Sequence, residues 1–472
     1  MTADGPGLPG PRSPEELARR GDLPDPPGRA HLMGAGGAGM RGLAVLLADG
    51  GWEVSGCDSS EDAEAPEIER AGGRLRTGHD PTHAEEADLL VRSSAVPEDH
   101  PEVAAARERG VPVLRRARAL GALLNDRELA AVAGTHGKTT VTAMAALAAE
   151  AAGLDPTGVV GGVVPAWEGH AVAGSGPAVA EADEFDGSFL ELDPRLALVT
   201  SVEPEHIESY GGADALERAF RVFAARAVGR GGVLVCADDP GARSLGEAVG
   251  EAVGYGRSPG AAYRIRGLGD GRARLEAPEG TVETGLAAPG DHNLQNAAGA
   301  LALALRLGAD PAALEDALDG FAGVERRMQE LADEAGTAVV DDYAHHPTEV
   351  RAALAAARRA YPGRRLVAVF QPHLFSRTRR FAEEFAAALE AADEAVVLPI
   401  YPAREEPIPG VDAGLVAGAS PALERVDADE ALARVLAAGR EGPTAALFLG
   451  AGDVTRLAHR AAGEVTGRAV GA

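Results

Sequence analysis

A glycine-rich segment, Gly134-Thr135-His136-Gly137-Lys138-Thr139-Thr140, lies between an apolar run, Leu129–Ala133, and a helical stretch, Val141–Ala149. That order is what phosphate binding needs. A glycine-rich turn lets backbone N–H groups wrap a phosphate, and the N-terminus of the following helix adds a favourable dipole. An ammonium at Lys138 reaches the β- and γ-phosphates of a nucleoside triphosphate, and a hydroxyl at Thr139 meets Mg²⁺. The full P-loop pattern also has a glycine five residues before Gly137. Val132 stands there, so the motif is a variant with a shorter glycine frame. Lys138 is the single lysine among 472 residues, whereas arginine occurs 44 times. With Lys138 committed to phosphate, no lysine remains for a Schiff base, a Tyr-x-x-x-Lys dyad or a carbamylated metal bridge.

Further constellations carry compatible chemistry. Gly34, Gly36 and Gly39 fit G-x-G-x-x-G after the strand-like Arg29–Met33, with Gly37 inside the same turn. Such a turn brings the backbone close to a pyrophosphate. Asp58 follows Gly39 by 19 residues, after the run Trp52–Cys57, where dinucleotide folds place an acid on a ribose. NAD and a UDP-sugar both suit this geometry, and a tight turn beside a solvated Asp58 is the plainer alternative. Glu181-Ala182-Asp183-Glu184-Phe185-Asp186 ends the strand-like Ala178–Ala180. Carboxylates near a P-loop suit Mg²⁺, although solvated acidic turns are common in so acidic a chain. Leu196–Val202 reads as a buried strand running into Glu203-Pro204-Glu205-His206, and His206 is a metal ligand, a base or a surface histidine. Asn293 and Asn296 lie one turn apart on an Ala-rich helix, where their amides suit a nucleobase edge or a helix cap.

Titratable residues also gather late in the chain. Arg326-Arg327 comes first, then Asp341–Thr348 after the strand-like Thr337–Val340, then Gln371–Arg380 after Leu366–Phe370. Open α/β sheets place ligands beyond the carboxyl ends of such strands, and arginines suit a carboxylate or phosphate. Arg379 and Arg380 also suit a solvated helix start, and the roles of Tyr401 and Arg404 stay open.

Positioning these groups requires strands alternating with helices, so the fold class read from the sequence is α/β with mostly parallel sheets. Glycine-marked strand-to-helix turns at Gly34, Gly134 and Gly450 predict three domains: 29–126, 127–321 and 322–472, after a disordered tail over 1–28. Gly254–Gly290 reads as a small β-excursion in the middle domain. Apolar residues make up 45% of the chain but aromatics only 4%, so the cores should be built from Ala, Val and Leu. A net charge of −27 argues against nucleic acid as a partner. No apolar run approaches the length of a membrane span, and cytoplasmic residence is the default expectation. Cys57 and Cys236 are too few for a disulfide framework and read as small core residues. An NAD-linked nucleotide-sugar oxidoreductase would use the first glycine turn, but the lone lysine removes its usual dyad. A non-catalytic binding protein would not need Lys138, Glu181, His206 and Asp342 together.

In this order and at these spacings the motifs His31–Met40, Gly134–Thr140, Asp341–Thr348 and Gln371–Arg379 resemble the Mur ligase family. The similarity runs from about His31 to Asp453. It implies a Rossmann-like UDP-binding domain, a central P-loop ATPase domain and a C-terminal Rossmann-like domain. The implied reaction is ATP-dependent joining of L-alanine to UDP-N-acetylmuramate through an acyl phosphate, in peptidoglycan precursor synthesis, with Mg²⁺ or Mn²⁺. No nucleic acid, membrane or obligate protein partner is implied. By resemblance, Gly134 to Thr140 hold the phosphates, with Lys138 as the catalytic cation. Thr139, Glu181 and His206 are the metal ligands, Asn293 and Asn296 flank the adenine, Arg327 meets the ATP phosphates and Asp342 the ribose. Gly34, Gly36, Gly37, Gly39, Asp58, Ser93 and Ser94 face the nucleotide-sugar. Tyr343, His345 and Arg377 wall the sugar-lactyl and alanine pocket. His206 and His345 are the candidate amine bases, although a metal-bound His206 could not also be the base. Arg41, Phe185 and Leu374-Phe375 depart from the family pattern. Phe185 leans toward the related murein tripeptide ligase. The missing second lysine fits the alanine-adding member better than later members, which bridge metals with a carbamylated lysine.

Overall fold

The computed structural model describes residues 13–467, apart from Asp62, Asp186, residues 204–209, Asp270, residues 287–289 and Arg404. The chain divides into two compact units, Met1–Ala287 with Asn293–Ala322, and Ala288–His292 with Gly323–Ala472.

The first unit carries two sheets. Strands β1 (Arg29–Met33), β2 (Glu53–Asp58), β3 (Leu75–Thr77), β4 (Leu89–Arg92) and β5 (Val113–Arg115) form an all-parallel sheet in the order β3-β2-β1-β4-β5. The strand order reverses between β1 and β4. This is the crevice where doubly wound sheets bind ligands.

The second sheet is built from β6 (Leu129–Ala133), β7 (Thr157–Val164), β8 (Gly169–Val172), β9 (Ala178–Glu181), β10 (Leu196–Val199), β11 (Gly232–Cys236), β12 (Ala252–Gly256), β13 (Tyr263–Gly269), β14 (Arg272–Ala277) and β15 (Gly280–Gly285). Their order is β15-β14-β13-β12-β11-β10-β6-β9-β7-β8. β6 lies between β10 and β9, parallel to both, and all five of its residues are buried. A parallel strand covered on both faces must be apolar throughout, which explains why Leu-Ala-Ala-Val-Ala shows no alternation. The expected β-excursion is the antiparallel meander β13-β14-β15.

The second unit holds β16 (Gln329–Glu334), β17 (Thr337–Asp342), β18 (Arg365–Phe370), β19 (Glu394–Val397), β20 (Leu423–Arg425) and β21 (Thr444–Leu449), in the order β16-β17-β21-β18-β19-β20. Only β16 runs antiparallel. The α/β class with mainly parallel sheets is therefore as expected. Each sheet has one glycine-marked turn, after β1, β6 and β21. Among the described residues no helix is long and apolar enough to cross a membrane.

Two expectations need correction. The strand expected over Leu196–Val202 ends at Val199, because Thr200 and Ser201 turn their polar groups onto the neighbouring glycine loop. Nor is all of 1–28 a disordered tail. Leu17, Ala18 and Leu23 are buried, and Arg19 donates to the Asn125 carbonyl at 2.8 Å and to Asp193 at 2.7 Å. Three short apolar side chains gave no periodic signal, yet with one arginine anchor they dock the segment.

Large side chains are scarce, so the few aromatics carry unusual packing weight. Phe189 stacks on Phe223 at 5.3 Å between ring centroids and meets Phe220 edge-on at 5.2 Å, and all three are fully buried. Phe189→Ala should destabilise the first unit by about 3–5 kcal/mol. Both tryptophans, Trp52 and Trp167, lie in that unit, so urea unfolding followed by tryptophan fluorescence measures the loss. A cost below about 1 kcal/mol would mean that this cluster is not a packing centre.

Candidate active site

The turn after β6 is forced by two glycines. Gly134 has φ of +136°, and a Cβ there would lie 2.1 Å from the Thr200 hydroxyl oxygen. Gly137, at φ +79°, is the N-cap of the helix Lys138–Ala151. A Cβ there would lie 2.8 Å from Asn296 Oδ1, so Asn296 stands against the loop. Asn293, on the same helix Asp291–Arg306, is buried. The loop is pinned from β10: Thr135 N donates to the Ser201 carbonyl at 3.0 Å and His136 N to Ser201 Oγ at 2.9 Å. Thr200 Oγ1 donates to the His136 carbonyl at 2.5 Å, and Glu203 N to Thr135 Oγ1 at 2.9 Å. Thr140 lies in the first turn of the helix.

Lys138 curls back over this turn. Its Nζ donates to the Gly134 carbonyl at 2.6 Å and the Thr135 carbonyl at 3.3 Å, and it meets the two Glu184 carboxylate oxygens at 3.0 and 2.8 Å. Burial works against the ammonium, but Glu184, Asp183 and Glu181 outweigh it and hold its pKa above the usual lysine range. Burial pushes Glu184 up to about 7, with Lys138 opposing the rise. Tyr210 donates a short hydrogen bond to the Glu184 carbonyl and fixes this residue's backbone. Sequence reading found the acidic cluster but not which member pairs with the lysine.

Thr139 Oγ1 donates to Glu181 Oε1 at 3.0 Å, and Gly161 N donates to Glu181 Oε2 at 2.6 Å. A hydroxyl and an oriented carboxylate beside a phosphate loop form the all-oxygen donor set that Mg²⁺ prefers, so these residues fit that ion. His206, the third expected ligand, lies outside the described residues, as does Asp186.

In the first sheet, Gly34 and Ala35 donate their N–H groups to the Cys57 carbonyl at 2.8 and 3.0 Å. Gly34 has φ of +75°, and a Cβ there would meet Ser93 Cβ at 2.9 Å. Ser93 N donates to the Met33 carbonyl at the end of β1, while Ser94 is exposed. Gly37 caps the helix Ala38–Asp49. The Asp58 carboxylate accepts from Gly36 N and Ser60 N, both at 3.0 Å, so it shapes the glycine turn itself. A Cβ on Gly39 would lie 2.8 Å from Arg116 Nη1. This puts a guanidinium over the turn, and sequence reading missed it because Arg115-Arg116-Ala117-Arg118 resembles any basic helix start. The unusual Arg41 forks onto buried Glu67 at 2.7 and 3.1 Å, which compensates the departure.

The second unit gathers its own cluster at the carboxyl ends of β17, β18 and β21. The buried Asp342 carboxylate accepts from Met328 N and Ala344 N, both at 2.8 Å, and burial pushes its pKa up to about 6. The Arg326 and Arg327 guanidinium carbons sit 4.9 and 5.2 Å from the Tyr343 ring centroid. His345 Nδ1 lies 2.9 Å from the Tyr343 carbonyl, with the His345 ring 5.2 Å from Tyr343 and 5.9 Å from His373. Burial drives the His345 pKa well below the usual histidine range, with Glu349 opposing and Arg377 assisting, which favours the neutral imidazole. Arg377 is buried in the first turn of the helix Phe375–Leu389. Gln371 donates to Asp453 Oδ1 at 2.6 Å and accepts from Val454 N at 3.1 Å, which ties β18 to the turn after β21.

The chain is similar to known proteins along most of its length. Residues 29–128 match the family described as "Mur ligase family, catalytic domain", residues 132–304 the "Mur ligase middle domain" and residues 326–452 the "Mur ligase, glutamate ligase domain". The chain is 49% identical over 445 residues to a UDP-N-acetylmuramate–L-alanine ligase of Kineococcus radiotolerans, covering 91% of this chain and 94% of that protein. It is 43% identical to the protein of that name from Chlorobium phaeovibrioides, covering 92% and 97%. Among solved structures, the UDP-N-acetylmuramate–alanine ligase of Thermotoga maritima superposes with a TM-score of 0.76 at 27% identity, covering 93% of this chain and 99% of that one. A murein peptide ligase of Psychrobacter arcticus superposes with a TM-score of 0.69 at 22% identity, covering 94% and 100%, which bears on the fold alone. The chain belongs to the Mur ligase family.

Proposed function

We propose that this protein joins L-alanine to the lactyl carboxylate of UDP-N-acetylmuramate at the expense of ATP, in the cytoplasm, as a step of peptidoglycan precursor synthesis. The observation that carries the reading is its near full-length likeness to proteins of that name, at 49% identity over 91% of the chain.

A carboxylate resists amine attack because its oxygen is a poor leaving group. Transfer of the γ-phosphoryl group to that oxygen gives an acyl phosphate and ADP. The alanine amine then attacks the acyl carbon, phosphate leaves, and one proton is lost from nitrogen. Little covalent chemistry falls to the protein, whose task is positioning and charge neutralisation. Lys138 supplies a point charge beside the phosphates, and the Gly134–Gly137 turn and helix N-terminus supply N–H donors. Asn293 and Asn296 are the candidates to read an adenine edge. Thr139 and Glu181 would hold Mg²⁺, which when bound neutralises phosphate charge. Arg116 and the Gly34 turn, with Ser93 packed on it, suit the diphosphate of the nucleotide-sugar. In the second unit, Tyr343, neutral His345 and Arg377 offer an aromatic wall, a proton acceptor and a carboxylate anchor. Arg327 and Asp342 are the further candidates there for nucleotide contacts.

ADP release should require UDP-N-acetylmuramate and L-alanine together. Release with the murein tripeptide in place of L-alanine and none with L-alanine would overturn the assignment and favour the recycling ligase toward which Phe185 leans. A second expectation concerns the buried pair. Glu184→Gln leaves Lys138 short of an anion and should cost about 3 kcal/mol without nucleotide. ATP with Mg²⁺ should restore most of it, because phosphate replaces the lost carboxylate. The nucleotide-induced rise in melting temperature should therefore be larger in the variant than in the wild type. Equal rises would mean that Lys138 does not exchange Glu184 for phosphate.

A further inference from the structure

A second cluster of metal-ligating groups lies beneath the Gly34 turn, outside the reaction chemistry described above. His31 on β1, Cys57 on β2, His83 in the turn Pro81–Glu85 and Glu102 in the helix Pro101–Glu108 are all buried, none more than 7% exposed. One donor atom from each lies within 4.8 Å of the other three. His31 Nε2 is 3.2 Å from Cys57 Sγ and 3.2 Å from Glu102 Oε1. His83 Nδ1 is 3.2 Å from the same Glu102 oxygen, and Cys57 Sγ is 3.6 Å from it. A tetrahedral ion with bonds of ~2.0–2.3 Å has ligand–ligand edges of about 3.3–3.8 Å. The four measured edges fall at or just below that range before any adjustment.

The surroundings also have the form of a metal site. His31 Nδ1 is held by Ser55 Oγ at 2.9 Å, the outer contact that orients a ligating imidazole through its other nitrogen. Partly exposed His79 brings Nδ1 to 3.0 Å from Cys57 Sγ and 3.6 Å from Glu102 Oε2, which provides an entry point from solvent. Glu102 N, at the start of its helix, donates to His100 Nδ1 at 3.2 Å, which fixes the helix start. One ring nitrogen of His31 faces a thiol and a carboxylate at once, and a single carboxylate oxygen faces two imidazoles and a thiol. The four donor atoms thus form one compact group, all within 4.8 Å of one another.

We propose that His31, Cys57, His83 and Glu102 bind one divalent transition metal of the zinc class, in a structural role. Two imidazoles, a thiolate and a carboxylate form a closed, borderline-soft set that selects zinc over Mg²⁺ or Ca²⁺. On binding, the Cys57 thiol gives its proton to solvent and the sulfur becomes a ligand. The ion fastens β1 and β2 to the two elements that cover them. Cys57 also carries the carbonyl that accepts from Gly34 and Ala35, so the anchor lies directly under the glycine turn. Cys57, read from the sequence as a small core residue, thereby gains a chemical role.

The test is Co²⁺ titration of the full chain after chelator treatment, read by absorption. Thiolate-bound tetrahedral cobalt gives a near-ultraviolet charge-transfer band, which an all-oxygen site cannot produce. One equivalent should bind with that band, Cys236→Ser should leave it unchanged, and Cys57→Ser should abolish it. His83→Gln should weaken Co²⁺ binding at least ~100-fold. Zn²⁺ should displace the cobalt and raise the first unit's melting temperature by a few degrees. The sequence has two cysteines, so a band in Cys236→Ser must arise from Cys57 even if Cys57→Ser fails to fold. Absence of the band in the wild type, or its loss in Cys236→Ser, would overturn the proposal.

Discussion

The candidate catalytic centre rests on one electrostatic arrangement, a single buried ammonium clamped between two loop carbonyls and the carboxylate of Glu184. A buried charge is costly unless paired. Glu184 therefore sets where Lys138 stands while no phosphate is present, and Glu181 and Asp183 deepen the negative field around it. The same field explains why the site suits a phosphate accompanied by a cation better than a bare anion. Thr139 and Glu181, the residues proposed to hold that cation, are already hydrogen-bonded to each other.

Around this pair the backbone is constrained as tightly as the charges. Gly134 and Gly137 adopt conformations that side chains rarely take, and a Cβ at either would collide with Thr200 or Asn296. The loop cannot relax away, because β10 ends early and uses Thr200 and Ser201 to hold it. The first sheet repeats the logic with different chemistry. Its glycine turn is hydrogen-bonded to Cys57 and Asp58 at the end of β2. Of the proposed metal ligands, Cys57 lies on that same strand end, so one short stretch of β2 shapes the turn and anchors the layer beneath it.

The α/β class could be read from the sequence because β6 and β21 are central parallel strands, whose burial on both faces leaves the unbroken apolar runs Leu129–Ala133 and Ala445–Leu449. Lys138 and Thr139 are legible as phosphate-loop candidates from the strand–turn–helix context, and Glu181 is singled out from its acidic cluster by the family resemblance. What stayed hidden depended on contacts distant in sequence. Arg116 lies 77 residues from Gly39, and nothing local marks it. Glu184 could not be told from Glu181 or Asp183 until the loop curled back. The docking of Leu17 and Leu23 needs the Arg19–Asp193 pair, 174 residues apart. Cys57, His31, His83 and Glu102 come from four separate elements, and they meet only once β1 and β2 pair and the turn and helix that carry His83 and Glu102 pack over them.

A single lysine makes the central claim open to direct observation. Protein grown with lysine labelled with ¹⁵N at Nζ gives one side-chain signal. An ordinary lysine, with a pKa of about 10.4, would be roughly a quarter deprotonated at pH 10. The account predicts that this signal keeps its ammonium shift from pH 7 to pH 10 and moves saturably when ATP and Mg²⁺ are added. A signal that titrates as an ordinary lysine, or one that ignores ATP, would contradict it.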